Sequence, residues 1–136
     1  MSAAPDPLPE YVYVLCRLSD WEAAKKAGAY RGSSDDLRDG FIHFSTAAQV
    51  AESAAKHRAG EADLLLLSVP VEALGPALAW EAAAGGSRGG EFFPHLYGPL
   101  PVDAVKRIDE LPLTAEGKHV FPTHVRPQCA PQAGNG

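Results

Sequence analysis

Cysteine is scarce: Cys16 and Cys129 are the only two in 136 residues. Two thiols cannot build a disulfide framework or a Cys-based zinc site. Cys16 lies in an apolar run and reads as a small buried hydrophobe, whereas Cys129 falls in a Pro-rich tail. Basic residues are in the minority, with 12 Lys+Arg against 17 Asp+Glu, a net charge of -5 and a pI near 5.4. A surface of that sign repels phosphate backbones, which argues against a broad nucleic-acid surface. No apolar run approaches the ~20 residues that a membrane helix needs, and Leu64–Leu67 falls far short. The N-terminal MSAAPDPLPE lacks a basic region followed by an apolar stretch, so it does not read as a signal peptide, and the expected location is the cytoplasm. The phosphate-binding patterns G-x-G-x-x-G and G-x-x-x-x-G-K-[ST] are missing, which leaves a Rossmann or P-loop reading without support. There is no internal repeat.

What is present is ordinary globular composition, 46% apolar and 21% charged, at the usual length of one domain. Residues 1–10 carry three prolines and are expected to form a flexible arm. Residues 11–113 read as a single domain and residues 114–136 as a tail that is partly disordered or packed as an arm. Tyr11–Cys16 and Phe41–Phe44 read as strands, and Asp63–Val69 as a strand buried on both faces. Leu78–Glu81, Phe92–Tyr97 and Val105–Leu113 complete the strands. Capping boxes at Ser19–Glu22 and Thr46–Gln49 predict two main helices, Asp20–Ala27 and one running to about Ala59. Tyr30–Gly40 reads as a polar loop, Val71–Leu74 as one helical turn, and Ala84–Gly90, with four glycines and Arg88, as a flexible flap. The expected fold class is α+β: a small twisted sheet with two helices packed on it.

Two motifs concentrate chemistry. In Asp39–Thr46 (DGFIHFST), strand alternation puts His43 and Phe41 on one face and Ile42 and Phe44 on the other. Ser45 and Thr46 are expected at a helix N-terminus, whose free N–H groups bind anions or carbonyls. Asp35, Asp36, Arg38 and Asp39 lie just upstream as a lid or ion-pair network. In Glu91–Gly98 (EFFPHLYG), His95 and Tyr97 share a face, and Pro94 argues for an edge strand or for a strand that begins at the proline. A histidine and a phenol on one face suit a hydroxyl-rich ligand or proton exchange. Glu81, after the aromatic Trp80, is a third candidate that reads more readily as exposed. His57 reads as solvated. His119 and His124, in the tail, have no metal-ligand spacing.

WEAAKKAGAYRGSSDDLRDGFIHFSTAAQVAE, LLLLSVPVEALGPALAWE and GGEFFPHLYGPLP together resemble a small, mainly bacterial family, domain of unknown function 952. The resemblance spans about Tyr11–Leu113. It implies membership of the ADP-ribosyltransferase-like superfamily, whose fold is a split β-sheet around an NAD-binding cleft. It places His43 on a ribose hydroxyl, with Phe44, Ser45 and neighbouring backbone near the nicotinamide, and Arg38 as a partner for pyrophosphate. Glutamate-type transferases of that superfamily carry a late Glu. The late motif here offers His95 instead, with Glu91 four residues upstream.

The resulting expectation is a cleft with His43 and His95 as catalytic residues and Arg38, Asp39, Phe44, Ser45, Thr46 and Tyr97 as ligand-binding residues. NAD is the expected substrate, or another small-molecule nucleotide. A non-catalytic nucleotide-binding module is the alternative. A metal-dependent hydrolase using His43, His95 and an Asp ranks below both, because HxH, HxxxH and HExxH spacings are absent. No cofactor, resident metal or protein partner is otherwise indicated.

Overall fold

The structure is a computed structural model that describes residues 8–82 and 92–125. Its first strand, β1 (Tyr11–Arg17), runs antiparallel to β4 (Leu64–Pro70), and β4 pairs on its other edge with β8 (Arg107–Glu110). β4 reads LLLLSVP because it is packed on both sides. Leu65, Leu67 and Val69 join Val12, Val14, Cys16 and Trp21 in one core, while Leu64 and Leu66 enter a second with Tyr13, Val50 and Ala54. A strand whose alternate side chains both leave water has no polar positions to alternate.

The helix α1 (Leu18–Ala27) follows β1 without a loop and ends at Gly28, whose positive φ of 91° suits a residue without Cβ. The Ser19 capping box predicted from sequence does not form. The Leu18 N–H is taken by the Asp63 carbonyl at 2.8 Å, so pairing beside β4 sets the helix start before Ser19. The segment expected to be a loop contains β2 (Ala29–Tyr30), paired with β7 (Leu100–Pro101), and the short helix α2 (Ser34–Asp39). α2 owes its start to a capping box of its own: Ser33 Oγ accepts from the Asp36 N–H, and Asp36 accepts from the Ser33 N–H.

The second three-stranded sheet has the order β3-β6-β5, from β3 (Ile42–His43), β6 (Phe92–Leu96) and β5 (Leu78–Ala82). β6 is thus central, which corrects the edge-strand expectation drawn from Pro94. The proline is tolerated because its missing N–H falls where β3 leaves: Phe44 N–H donates to the Pro94 carbonyl at 2.9 Å, and no return bond exists. At the next residue, Ser45 exchanges a pair of 2.8 Å backbone bonds with Tyr13, so one short segment ties the two sheets together. Ile42 and Phe44 are buried in the first core and fix the opposite face of this segment, with Phe41 and His43, away from it.

α3 (Val50–His57) begins three residues later than expected, with Gln49 rather than Thr46 as its N-cap. Gln49 completes half of the predicted capping box, its Oε1 accepting the Thr46 N–H at 2.9 Å, while its Nε2 donates to the Phe92 carbonyl at 2.8 Å. α4 (Val71–Leu74) is the single turn the sequence suggests. Past β8, Phe121 and Val125 are buried in the second core, so the described part of the C-terminal tail packs as an arm. The Gly-rich Ala84–Gly90 flap, Glu91 and Cys129 lie outside the described residues. The architecture is mixed α/β, with several small antiparallel sheets and few helices. Among the described residues no helix is long and apolar enough to cross a membrane.

Candidate functional site

His43 and His95 are direct cross-strand partners between β3 and β6, and their ring centroids lie 5.4 Å apart in an edge-on arrangement. Phe41 covers both. It stacks on His95 at 4.1 Å and meets His43 at 4.6 Å. The rings line a cleft of about 550 Å³ between α2, β3, β5, β6 and α3, within the roughly 300–1,000 Å³ range of small-molecule sites.

Each imidazole is held by a carboxylate. Asp36, buried in α2, contacts His43 Nδ1 through Oδ1 at 2.5 Å, and the same oxygen accepts the His43 backbone N–H at 3.1 Å. Its Oδ2 accepts the Ser33 N–H at 2.8 Å. The position is packed from behind by Gly32: a Cβ there would lie 2.5 Å from Asp36 Cβ, and Gly32 has a φ of +110° that side chains rarely adopt. On the outer side, Asp39 Oδ2 contacts His43 Nε2 at 3.1 Å. Carboxylates on both nitrogens favour the charged form of His43: its pKa is raised, chiefly by the Asp36 hydrogen bond, against the opposing effect of burial, and further by the charges of Asp36, Asp39 and Asp35.

His95 is buried, and its Nδ1 contacts Glu81 Oε1 at 2.8 Å. Glu81 reaches it diagonally, because the residue directly opposite His95 is Ala79, which contributes only a methyl group. Tyr97 donates its hydroxyl to the same Glu81 oxygen at 2.8 Å. Burial is the largest influence on His95 and depresses its pKa. The neighbouring His43 acts in the same direction, and Glu81 opposes both. These influences favour the neutral form of His95, and its Nδ1 contact with the Glu81 carboxylate, which can only accept when ionised, suits the Nδ1–H tautomer. Nε2 has no hydrogen-bond partner among the described residues, yet it is not among the sealed, unsatisfied polar atoms.

The remaining expected residues divide. Arg38, Asp39, Phe44 and Ser45 line the cleft, whereas Thr46 and Tyr97 do not. Arg38 is already engaged by Asp35 and Asp39, each at 3.0 Å, and these pairs hold the Asp39 carboxylate below its ordinary range. Phe44 turns its side chain into the core and is 1% exposed. Ser45 Oγ donates to Ser53 Oγ at 3.3 Å. The open N–H groups expected at Ser45 and Thr46 are not open: Tyr13 takes the first and the Gln49 side chain the second. This part of the anion-site reading is corrected.

Glu81, Asp36 and Phe41 complete the site: the sequence offers Glu81 as a third candidate, Asp36 as part of an ion-pair network and Phe41 on the His43 face, but does not assign them as site residues. The available signal for Glu81 was strand alternation, which sets it on the face opposite the buried Trp80. α3 adds Ser53, Lys56 and His57 to the wall, and Lys56 is exposed. Away from the cleft, His119 Nε2 meets the Glu61 carbonyl at 2.8 Å, and His124 lies 3.7 Å from Asp109. Among the described residues no three His, Cys, Asp or Glu side chains are grouped to hold one metal ion.

Comparison with solved structures finds protein CC0527 from Caulobacter crescentus. Its crystal structure is similar at a TM-score of 0.79 and 45% identity, covering 85% of this chain and 97% of that one. Its solution NMR structure is similar at 0.68 and 48% identity, covering 79% and 90%. No curated protein matches the chain. The family model described as protein of unknown function, DUF952, matches residues 15–108, and the chain belongs to that family.

Proposed function

We propose that the cleft binds a nucleotide-type small molecule, NAD or a relative carrying ADP-ribose or phosphate, in the manner of the ADP-ribosyltransferase-like superfamily. The observation that carries this reading is the cross-strand pair of His43 and His95, each fixed by its own carboxylate on the wall of one cleft. Two oriented imidazoles and a serine hydroxyl suit the hydroxyls of a ribose, and the flat ring of Phe41 suits a planar base. Lys56 on the cleft wall supplies a cation for phosphate oxygens, whereas Arg38 is paired with Asp35 and Asp39. The late motif has no carboxylate of its own among the described residues, but Glu81 brings one to it from the neighbouring strand. A carboxylate there favours the positive charge that develops on a ribosyl group as its glycosidic bond breaks.

A second reading, a binding module without catalysis, is favoured by one observation: both ring nitrogens of His43 are occupied by carboxylates. Thermal shift with NAD, ADP-ribose and AMP tests the shared part, since a ligand of the native state raises Tm with occupancy. A shift with any of them, lost in His95→Gln, is expected, and no shift with all three overturns the reading. Release of nicotinamide from NAD separates transferase from binding module.

A further inference from the structure

We propose that His43 and His95 act as proton donor and proton acceptor at one phosphorus, and that the cleft hydrolyses a cyclic phosphodiester of a nucleotide. The inference rests on the nucleotide reading above and assigns it a reaction. Both rings use Nδ1 for a carboxylate, Asp36 for His43 and Glu81 for His95, which leaves the two Nε2 atoms as the nitrogens that face exchange. They differ in what they carry. In this assignment His95 presents a lone pair: its Nδ1 lies 2.8 Å from Glu81 Oε1, which suits an Nδ1–H donor, and its Nε2 has no hydrogen-bond partner among the described residues. His43 is assigned the proton, its Nε2 lying 3.1 Å from the exposed Asp39 carboxylate. Asp39 precedes Gly40, whose φ of 90° ends α2, and Arg38 holds Asp39 from the outside, so a ligand oxygen can take its place on Nε2.

This asymmetry selects the reaction class. Nicotinamide leaves NAD as a neutral molecule and needs no proton, so a donor at His43 would be idle in that step. The departing oxygen of a phosphodiester does need one. In the balanced step, water adds to phosphorus while its proton passes to His95 Nε2. The bond from phosphorus to one ribose oxygen breaks, and that oxygen takes the proton from His43 Nε2. The product is a phosphomonoester, and solvent returns the proton from His95 to His43. Lys56, on the wall of the same cleft, is assigned to the phosphoryl oxygens.

The groups around the pair set opposite proton affinities. Asp36, Asp39 and Asp35 favour the charged form of His43, whereas burial and the charge of His43 disfavour it at His95 against the pull of Glu81. Environments that push two titrating groups apart identify acid and base.

The test is incubation of the full chain with 2′,3′-cyclic AMP, following the phosphomonoester by phosphorus NMR. The expected pH profile of kcat/KM is a bell. Its rising limb lies below the ordinary imidazole value, where His95 deprotonates, and its falling limb lies above it, where His43 does. His43→Gln and His95→Gln should each lose on the order of 100-fold or more. Glu81→Gln should move the rising limb further down in pH and leave the falling limb in place. Activity that persists in both histidine variants overturns the inference. So does absence of product from the wild-type chain. If ADP-ribose still raises Tm in that case, the nucleotide reading stands without this step. If His43→Gln does not fold, the protonation of His43 in the wild-type chain decides: a neutral ring at pH 7 overturns the donor assignment.

Discussion

His43 and His95 occupy the same register position on adjacent strands, yet one is half exposed between two carboxylates and the other is buried against one. Sheet geometry makes them neighbours, and the elements packed outside the sheet make them different. α2 brings Asp36 and Asp39 to His43, and β5 brings Glu81 to His95. Titration by NMR is expected to place the two rings on opposite sides of the ordinary imidazole value, His43 above and His95 below. Linkage then gives the stability profile a sign. The His43 contribution is fully present below the unfolded value, about 6.5, and is lost as pH rises through its higher folded value. His95 acts the other way: protons favour the unfolded chain, so its penalty grows as pH falls below about 6.5. Loss of the high-pH decline in Asp36→Asn would confirm where the first effect comes from.

Asp36 is the most connected side chain of the site. It joins the cap of α2, the backbone of β3 and the His43 ring. Asp36→Ala removes all three and leaves two backbone N–H groups without this acceptor. A loss of about 2–4 kcal/mol is expected, at the upper end of single-substitution effects, read as a lower urea midpoint. Gly32→Ala should be destabilising by a different route, since its Cβ would press on Asp36 and its φ is positive. Its cost should be accompanied by a fall in the His43 pKa as the carboxylate is displaced. A Gly32→Ala protein with unchanged midpoint and unchanged His43 titration would show that the close approach is not maintained in solution.

Phe121 and Val125 lie in a Pro-rich stretch with little local structural preference, but both are buried beside Tyr13, Leu66 and Leu111. Phe121→Ala is expected to cost about 3–5 kcal/mol, the range for a large aromatic removed from a core. Truncation after Thr114 should cost at least as much. A truncated chain with the parent Tm would place residues 115–125 outside the folded unit.

The strands were legible where side-chain pattern and burial coincide. Tyr11–Cys16 and Leu64–Val69 carry β-branched, aromatic or leucine residues because both their faces leave water. The facing of Phe41 and His43 against Ile42 and Phe44 followed from alternation alone. What escaped depends on contacts between segments distant in sequence. Glu81 reads as an exposed acid until the register sets Ala79 opposite His95. Pro94 reads as an edge marker until β3 is seen to leave at that residue. The N–H groups at Ser45 and Thr46 read as open until Tyr13 and Gln49 take them. α2 was hidden by its own polarity, since all six of its residues except Leu37 are polar or charged and its cap uses Asp in place of Glu or Gln.

Replacing His43 by alanine separates a ligand-binding role from a structural one. The ring is 41% exposed and belongs to neither buried core, so its removal opens no internal cavity. Asp36 keeps its bonds from the Ser33 and residue-43 backbone N–H groups, because neither depends on the imidazole. The carboxylate loses only its charged partner, a hydrogen bond of the class worth about 1.5–3 kcal/mol. Part of that is recovered through water, since the site faces an open cleft. A stability loss of about 1–2 kcal/mol is therefore expected. The ligand response should fall further. An ADP-ribose oxygen held by an imidazolium contributes roughly twice a neutral hydrogen bond, and Asp39, freed from His43, adds an unpaired negative charge at the same place. The comparison is the urea midpoint of His43→Ala set against its ADP-ribose-induced thermal shift. A stability loss well beyond about 2 kcal/mol with the thermal shift intact would make His43 a structural residue and move the ligand to the His95 and Glu81 side of the cleft.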